Sequence, residues 1–221
     1  VVGIARRKNR VDDLAKAFEN KPGKLYPLKA DVTNEEEIIQ AFNWIKNSIG
    51  PISILINNAG IVRGTTLTDG STKLWKQVLD TNVLSLCIAT REAIRSMRDN
   101  NIDGHIVHLN SVAGHMVPPL PQFNVYPASK YAVTALTETL RQELNFLGSK
   151  IKVTSVSPGA VATEIVQAAG DTLSEGLRNH IKGNPNILRS EDIADAVLYA
   201  LATPPHVQVH EIIIKPVGEA F

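Results

Sequence analysis

The sequence predicts an α/β fold in which a doubly wound parallel sheet carries helices on both faces. Two observations predict it. Short β-branched runs alternate with longer amphipathic stretches along the whole chain, the pattern of strands joined by helical crossovers. Clusters of small and polar residues, such as Asn57-Asn58-Ala59-Gly60 and Pro158-Gly159, sit just after the strand-like runs. Ligand sites of such sheets lie there, at the carboxyl ends of the strands.

Strands are expected at Val1 to Ala5, Leu25 to Ala30, Ser53 to Asn57, His105 to Leu109, Lys152 to Val156 and Glu211 to Ile214. A helix is expected from Asp12 to Glu19 and another from Glu35 to Ile49. The second has an apolar stripe of Ile38, Ile39, Phe42, Ile45 and Ile49, spaced to share one face. Asn34 is placed to cap it, with Glu35 to Glu37 in the first turn, where the helix dipole favours acids. Ser71 to Met97 and Pro127 to Leu147 read as two long helices, and Glu191 to Ala202 as a last one, stopped by Pro204-Pro205.

The 221 residues suffice for one core and one domain, with a composition of an ordinary globular chain. A net charge of +1 gives no nucleic-acid footprint. Cys87 is the single cysteine, so no intramolecular disulfide or thiolate cluster forms, which agrees with a reducing, cytoplasmic setting. No apolar run reaches the ~20 residues that span a bilayer, and no basic region precedes Val1-Val2-Gly3-Ile4-Ala5 as in a signal peptide. The chain starts without Met, on residues that read as the middle of a protein, and is expected to be a fragment. His105 and His108, three apart on one strand, point to opposite faces, so no metal site is expected; His115 is placed to line a substrate pocket.

Tyr126-Pro-Ala-Ser-Lys130 carries the chemistry. Residues four apart share a helix face, so the phenol and the ammonium look into one pocket. A tyrosine titrates near ~10, and an adjacent cation favours its phenolate and pulls that value toward neutrality. Ser111 follows the strand His105 to Leu109 and can donate and accept hydrogen bonds. Asn82 lies inside a helical stretch, where asparagine is a poor former and needs a reason. Gly60 lets backbone approach a ligand closely.

Asn57-Asn58-Ala59-Gly60, Asn82, Ser111, Tyr126-x-x-x-Lys130 and Pro158-Gly159-x-Val161-x-Thr163, in this order, resemble the short-chain dehydrogenase/reductase family, whose domain is Rossmann-like. The Ser111 to Tyr126 gap is slightly long and contains Pro118-Pro119-Leu120-Pro121. The resemblance implies that Tyr126 exchanges a proton with the substrate oxygen and that Lys130 lowers the tyrosine's pKa and binds the nicotinamide ribose. It implies that Ser111 hydrogen-bonds the substrate and Asn82 holds a water linking Lys130 to solvent. Asn58, Ala59 and Gly60 would border the cofactor, Asp31-Val32 the adenine, and Pro158, Gly159, Val161 and Thr163 the nicotinamide. The family also implies a homodimer or homotetramer paired through the two long helices.

The family's glycine-rich phosphate loop is not found in the chain, and Val1 to Ala5 resembles its second strand. The first strand of the family lies between the second and the fourth, so a gap is expected in the sheet, with poor stability and weak cofactor binding. At the end of the second strand an acid takes the ribose of NAD and an arginine the 2′-phosphate of NADP. Here Arg6 and Arg7 stand there without an acid, which points to NADP. The wording around the motifs resembles the branch formed by insect farnesol dehydrogenases and a vertebrate relative acting on steroid and other ketones. The stretch 164–188 is expected to form the substrate lid, offering Ile165, Val166, Leu173, Leu177, Ile181 and Ile187. An NADP-dependent enzyme acting on a small apolar alcohol or its carbonyl partner, farnesol-like first, is therefore expected. A steroid or carbonyl reductase, a non-catalytic dinucleotide-binding regulator and an inert fragment stay open.

Overall fold

The computed structural model describes residues 1–120, 122–173 and 186–219. Among these residues six strands are present: β1 Val2–Ala5, β2 Tyr26–Lys29, β3 Ile54–Asn57, β4 His105–Leu109, β5 Lys152–Pro158 and β6 Glu211–Ile214. Among the described residues seven α-helices connect or flank them: α1 Lys8–Ala17, α2 Glu35–Ser48, α3 Thr72–Leu79, α4 Ser85–Asp99, α5 Val125–Phe146, α6 Ile165–Ala168 and α7 Ser190–Ala202. All strand pairings are parallel, in the order β3-β4-β5-β6 and, as a separate ladder, β1-β2.

The central strands β4 and β5 are buried on both faces because helices cover both. Ile106 of β4 packs with Ile38 and Phe42 of α2, Ile88 and Met97 of α4, and Leu140 and Leu144 of α5. Its neighbour Val107 packs the other way, with Val156 of β5 and Ile193 and Val197 of α7, as the strand period of two requires. Both histidines of β4 are buried and make side-chain hydrogen bonds, although His105 Nδ1 has no partner among the described residues. His108 is bonded to Thr137 Oγ1 on α5 (2.9 Å) and lies 3.4 Å from Thr90 Oγ1 on α4. His105 is bonded to Thr154 on β5 (2.8 Å). Asn34 caps α2 by accepting from the Glu37 N–H (3.2 Å), as its position predicts. Gly148, at φ +64°, ends α5 in the left-handed conformation, the usual helix stop.

Several boundaries differ from expectation. The predicted helix from Ser71 to Met97 is broken at Asp80–Leu84 by one π-helical turn, a device that recurs at functional sites. β5 runs on to Pro158, because Ser155 to Pro158 pair with Glu211 to Ile214 of β6. α1 starts four residues early, at Lys8.

No strand pairing joins β1 to β3 among the described residues, which is the gap expected in the sheet. A trough of about 740 Å³ lies here, with Val2 and Ile4 on one side, Ile54, Leu55 and Ile56 on the other, and Ile38, Phe42 and Ile45 of α2 contributing to its walls. Ile54 and Ile56 are 50% and 45% exposed, unlike Ile106 at 0%. Ile106→Ala should therefore cost about 3 kcal/mol in chemical denaturation. Ile54→Thr with Ile56→Thr should cost less than about 1 kcal/mol and lower the fluorescence of a hydrophobic dye. Equal losses from the two variants would refute the exposed trough.

Candidate active site

The ends of β4 and β5, the start of α5 and the turn after β1 converge on a cleft of about 830 Å³. Arg6, Arg7, Asn58, Gly60, Ser111, Tyr126, Lys130, Pro158, Gly159, Val161 and Thr163 all line it. Eleven of the residues singled out from sequence thus meet in one place, although 157 positions separate the outermost.

Helix α5 delivers Tyr126 and Lys130 from its first turns. Phe123 and Asn124 set its entry angle. Asn124 accepts from the Val125 N–H (2.6 Å), and its side-chain amide donates to the Thr65 carbonyl. Phe123 meets the Tyr126 ring edge-on at 5.8 Å. Lys130 is buried, with 5% of its surface exposed, and its Nζ donates to the Leu109 carbonyl at the end of β4 (2.9 Å). Burial pushes its ammonium down to about 8, since a low-dielectric surrounding disfavours the charged form. His108 is held at about 4, first by burial and then by the charge of Lys130, so it stands neutral beside the cation.

The phenol departs from expectation. Burial pushes the Tyr126 hydroxyl above its ordinary value, and a hydrogen bond from Ser111 opposes part of that rise. Lys130 Nζ lies 5.9 Å from the centre of the ring and is not what moves the phenol here. Desolvation outweighs the Ser111 bond, so Tyr126 is protonated at pH 7.

Asn82 owes its place to the π turn. Its Oδ1 accepts from the Ile61 N–H (2.8 Å), and its Nδ2 donates to the Ile61 carbonyl (2.9 Å) and to Ser129 Oγ (3.0 Å). Ser129 in turn donates to the Tyr126 carbonyl (2.7 Å). Asn82 therefore clamps the Asn58-Ala59-Gly60-Ile61 turn to α5. A Cβ at Gly60 would stand 3.6 Å from Asn82 Oδ1 and 3.9 Å from Lys130 Nζ, so a side chain there would reach over the ammonium. Ser111 Oγ accepts from the Ala113 N–H (3.1 Å) and begins a short 3₁₀ turn.

Other expected residues lie elsewhere. Val32 and Ala59 face the trough between the two ladders. Asp31 accepts from the Thr33 N–H and hydroxyl (3.0 and 2.8 Å). Its carboxyl is raised by burial, but the Thr33 bonds and the Arg6 charge outweigh that and leave it below the usual range. His115 turns away from the cleft to bond Ser157 Oγ (3.0 Å), with Glu211 at 3.5 Å. Among the lid candidates, Ile165, Val166 and Leu173 cluster with Val62, Phe123 and Tyr126, while Leu177 and Ile181 lie outside the described residues. Sequence reasoning missed Ser129, Arg63 and Glu164. Arg63 donates to the Ala168 carbonyl at the end of α6 (3.0 Å). Ser129 had a signal, its place within the Tyr-to-Lys stretch; the other two had none.

The donor set fits a dinucleotide. Lys130 offers an ammonium at the cleft floor, Gly60 leaves room above it, and Arg6 and Arg7 stand at the rim. The family profile described as short chain dehydrogenase matches residues 1–174. The chain belongs to the short-chain dehydrogenase family. It is 52% identical to a farnesol dehydrogenase of Aedes aegypti, over all of this chain and 87% of the relative. It is 44% identical to dehydrogenase/reductase SDR family member 11 of Bos taurus, over 98% of this chain and 86% of that protein. A closed serine dehydrogenase solved with NADP+ superposes with a TM-score of 0.88 at 29% identity, covering 100% of this chain and 86% of that one. As a member of this family the chain is an oxidoreductase.

Removing the buried charge should separate stability from function. Below pH 8 Lys130 is protonated folded and unfolded, so its burial cost is present in full. Between about 8 and its ordinary 10.5 the unfolded chain keeps the proton and the folded chain does not, and stability rises with pH. Lys130→Met should therefore be more stable than the parent by about 1–3 kcal/mol at pH 7, with the difference closing toward pH 10.5 and turnover lost. A Lys130→Met protein less stable than the parent at pH 7 would show the cation to be a net stabiliser.

Proposed function

We propose that the chain is an NADP-dependent short-chain alcohol dehydrogenase/reductase that interconverts an apolar alcohol with its aldehyde or ketone, a farnesol-like isoprenoid alcohol first. One observation carries this reading: buried Ser111 and Lys130 and half-buried Tyr126 meet on one cleft with two arginines at its rim.

When bound, the nicotinamide supplies or accepts the hydride. The chain's own residues do the rest. Ser111 presents its hydroxyl to the substrate oxygen beside the phenol. Tyr126, protonated at pH 7, holds the proton that a carbonyl oxygen takes on reduction and receives it back from an alcohol on oxidation. The Lys130 ammonium, fixed on the Leu109 carbonyl, favours the phenolate once Tyr126 has given up its proton. Asn82 holds the Gly60 turn against α5. The cluster of Val62, Val166, Ala169 and Leu173 against Phe123 and Tyr126 supports an apolar substrate, as does the name of the mosquito relative. The serine dehydrogenase solved with NADP+ and the basic pair at the rim support NADP over NAD. The long α4 and α5 support a homodimer or homotetramer, their outer groove holding Leu86, Leu136, Leu140 and Leu147.

With farnesol as substrate, oxidation should be fast with NADP and slow with NAD, and Arg6→Ala should erase that preference. Tyr126→Phe should lower kcat about 10²–10⁴-fold while the melting temperature and NADPH binding hold. Comparable turnover by that variant would sink the assignment. Turnover of steroid or other ketones with none of farnesol would move the substrate to that carbonyl class.

A further inference from the structure

The turn after β1 and the turn after β5 are joined across the cleft by one carboxylate. Arg7 Nη2 reaches Glu164 Oε2 at 3.1 Å, and Arg10 Nη1 reaches both Glu164 oxygens at 2.6 Å. The arginines belong to the rim of the cleft and the first turn of α1; Glu164 follows Thr163 and begins α6. Arg10 and then Arg7 hold the Glu164 carboxyl below its usual range. Arg6 lies on the same rim and its positive field reaches Arg63, whose own value is lowered by burial and then by Arg6. The region is thus an anion site, and Glu164 bridges its two ends.

A guanidinium presents the same fork to a carboxylate and to a phosphate. We propose that Glu164 is an internal competitor for the arginine site, a specificity-determining residue that a dinucleotide phosphate must displace from Arg7 and Arg10. The inference rests on the reading of Arg6 and Arg7 as the 2′-phosphate site. All three side chains are more than half exposed, Arg7 at 62%, Arg10 at 51% and Glu164 at 57%, so water and salt weaken the bridge and a phosphate with nearly twice the charge wins. A dinucleotide with a free 2′-hydroxyl gains nothing from the freed Arg7. Displacement also releases the residue that precedes α6, which couples phosphate arrival to the segment holding Ile165 and Val166 beside Tyr126.

The test is equilibrium binding of NADPH, NADH and 2′,5′-ADP to the parent and to Glu164→Gln, Glu164→Asp and Arg6→Ala, read by titration calorimetry at low and high salt. Glu164→Gln should tighten NADPH and 2′,5′-ADP roughly two- to fivefold, most at low salt, with NADH changing less than about twofold and Glu164→Asp lying between. Unchanged or weaker NADPH binding by Glu164→Gln, or no measurable binding by either protein, overturns the competition. Equal tightening of NADPH and NADH, with Arg6→Ala leaving their ratio unchanged, keeps the competition but assigns it to the diphosphate and refutes the 2′-phosphate site.

Discussion

The site depends on one costly placement, a lysine ammonium buried with a single carbonyl as partner. Lys130 is 5% exposed and donates to Leu109, and the surroundings are arranged to tolerate it. His108 is kept neutral nearby by burial and by the Lys130 charge itself, with two threonine hydroxyls beside its ring. α5 is held at its start by Asn124 and Phe123, and in its first turns by Ser129 and Asn82. A π turn in the preceding helix brings Asn82 to that clamp. Each of these features has a modest local rationale, and together they fix the distance between a phenol, a cation and a serine hydroxyl.

Burial acts on the two titrating partners in opposite senses. It lowers Lys130 to about 8 and raises Tyr126, so both neutral forms gain. The phenol is consequently a proton donor before substrate arrives, and the lysine is poised to lose its proton in mildly alkaline solution. The cleft and the trough share Ile56, Asn58, Leu198 and Leu201 as walls, so the reactive side chains stand on β4 and α5, the packed half of the molecule, while the cofactor rim borders its least covered part.

Much of this was legible in the sequence. The alternation of strand and helix placed all six strands within two residues at either end, and the four-residue spacing put Tyr126 and Lys130 on one face of α5. Local pattern could not show where a backbone partner lies. The π turn carries Asn82 to its bonds with Ile61, a contact between distant segments, and β5 lengthens because β6 pairs with it. His115 turns to Ser157 for the same kind of reason. The phenol's direction of shift was misjudged because spacing shows a nearby cation but not the degree of burial, and burial dominates here. Glu164 gave no signal, since its partners lie more than 150 positions away.

The most direct measurement is the titration of Lys130 itself, followed by NMR of lysine ¹³Cε in the labelled protein, with Lys130→Met providing the assignment. The account predicts one lysine that loses its proton at about 8, apart from the rest. A Lys130 that titrates near 10.5 with the exposed lysines would contradict it, because the ammonium would then be solvated and the cleft would not hold the buried cation on which the proposed chemistry stands.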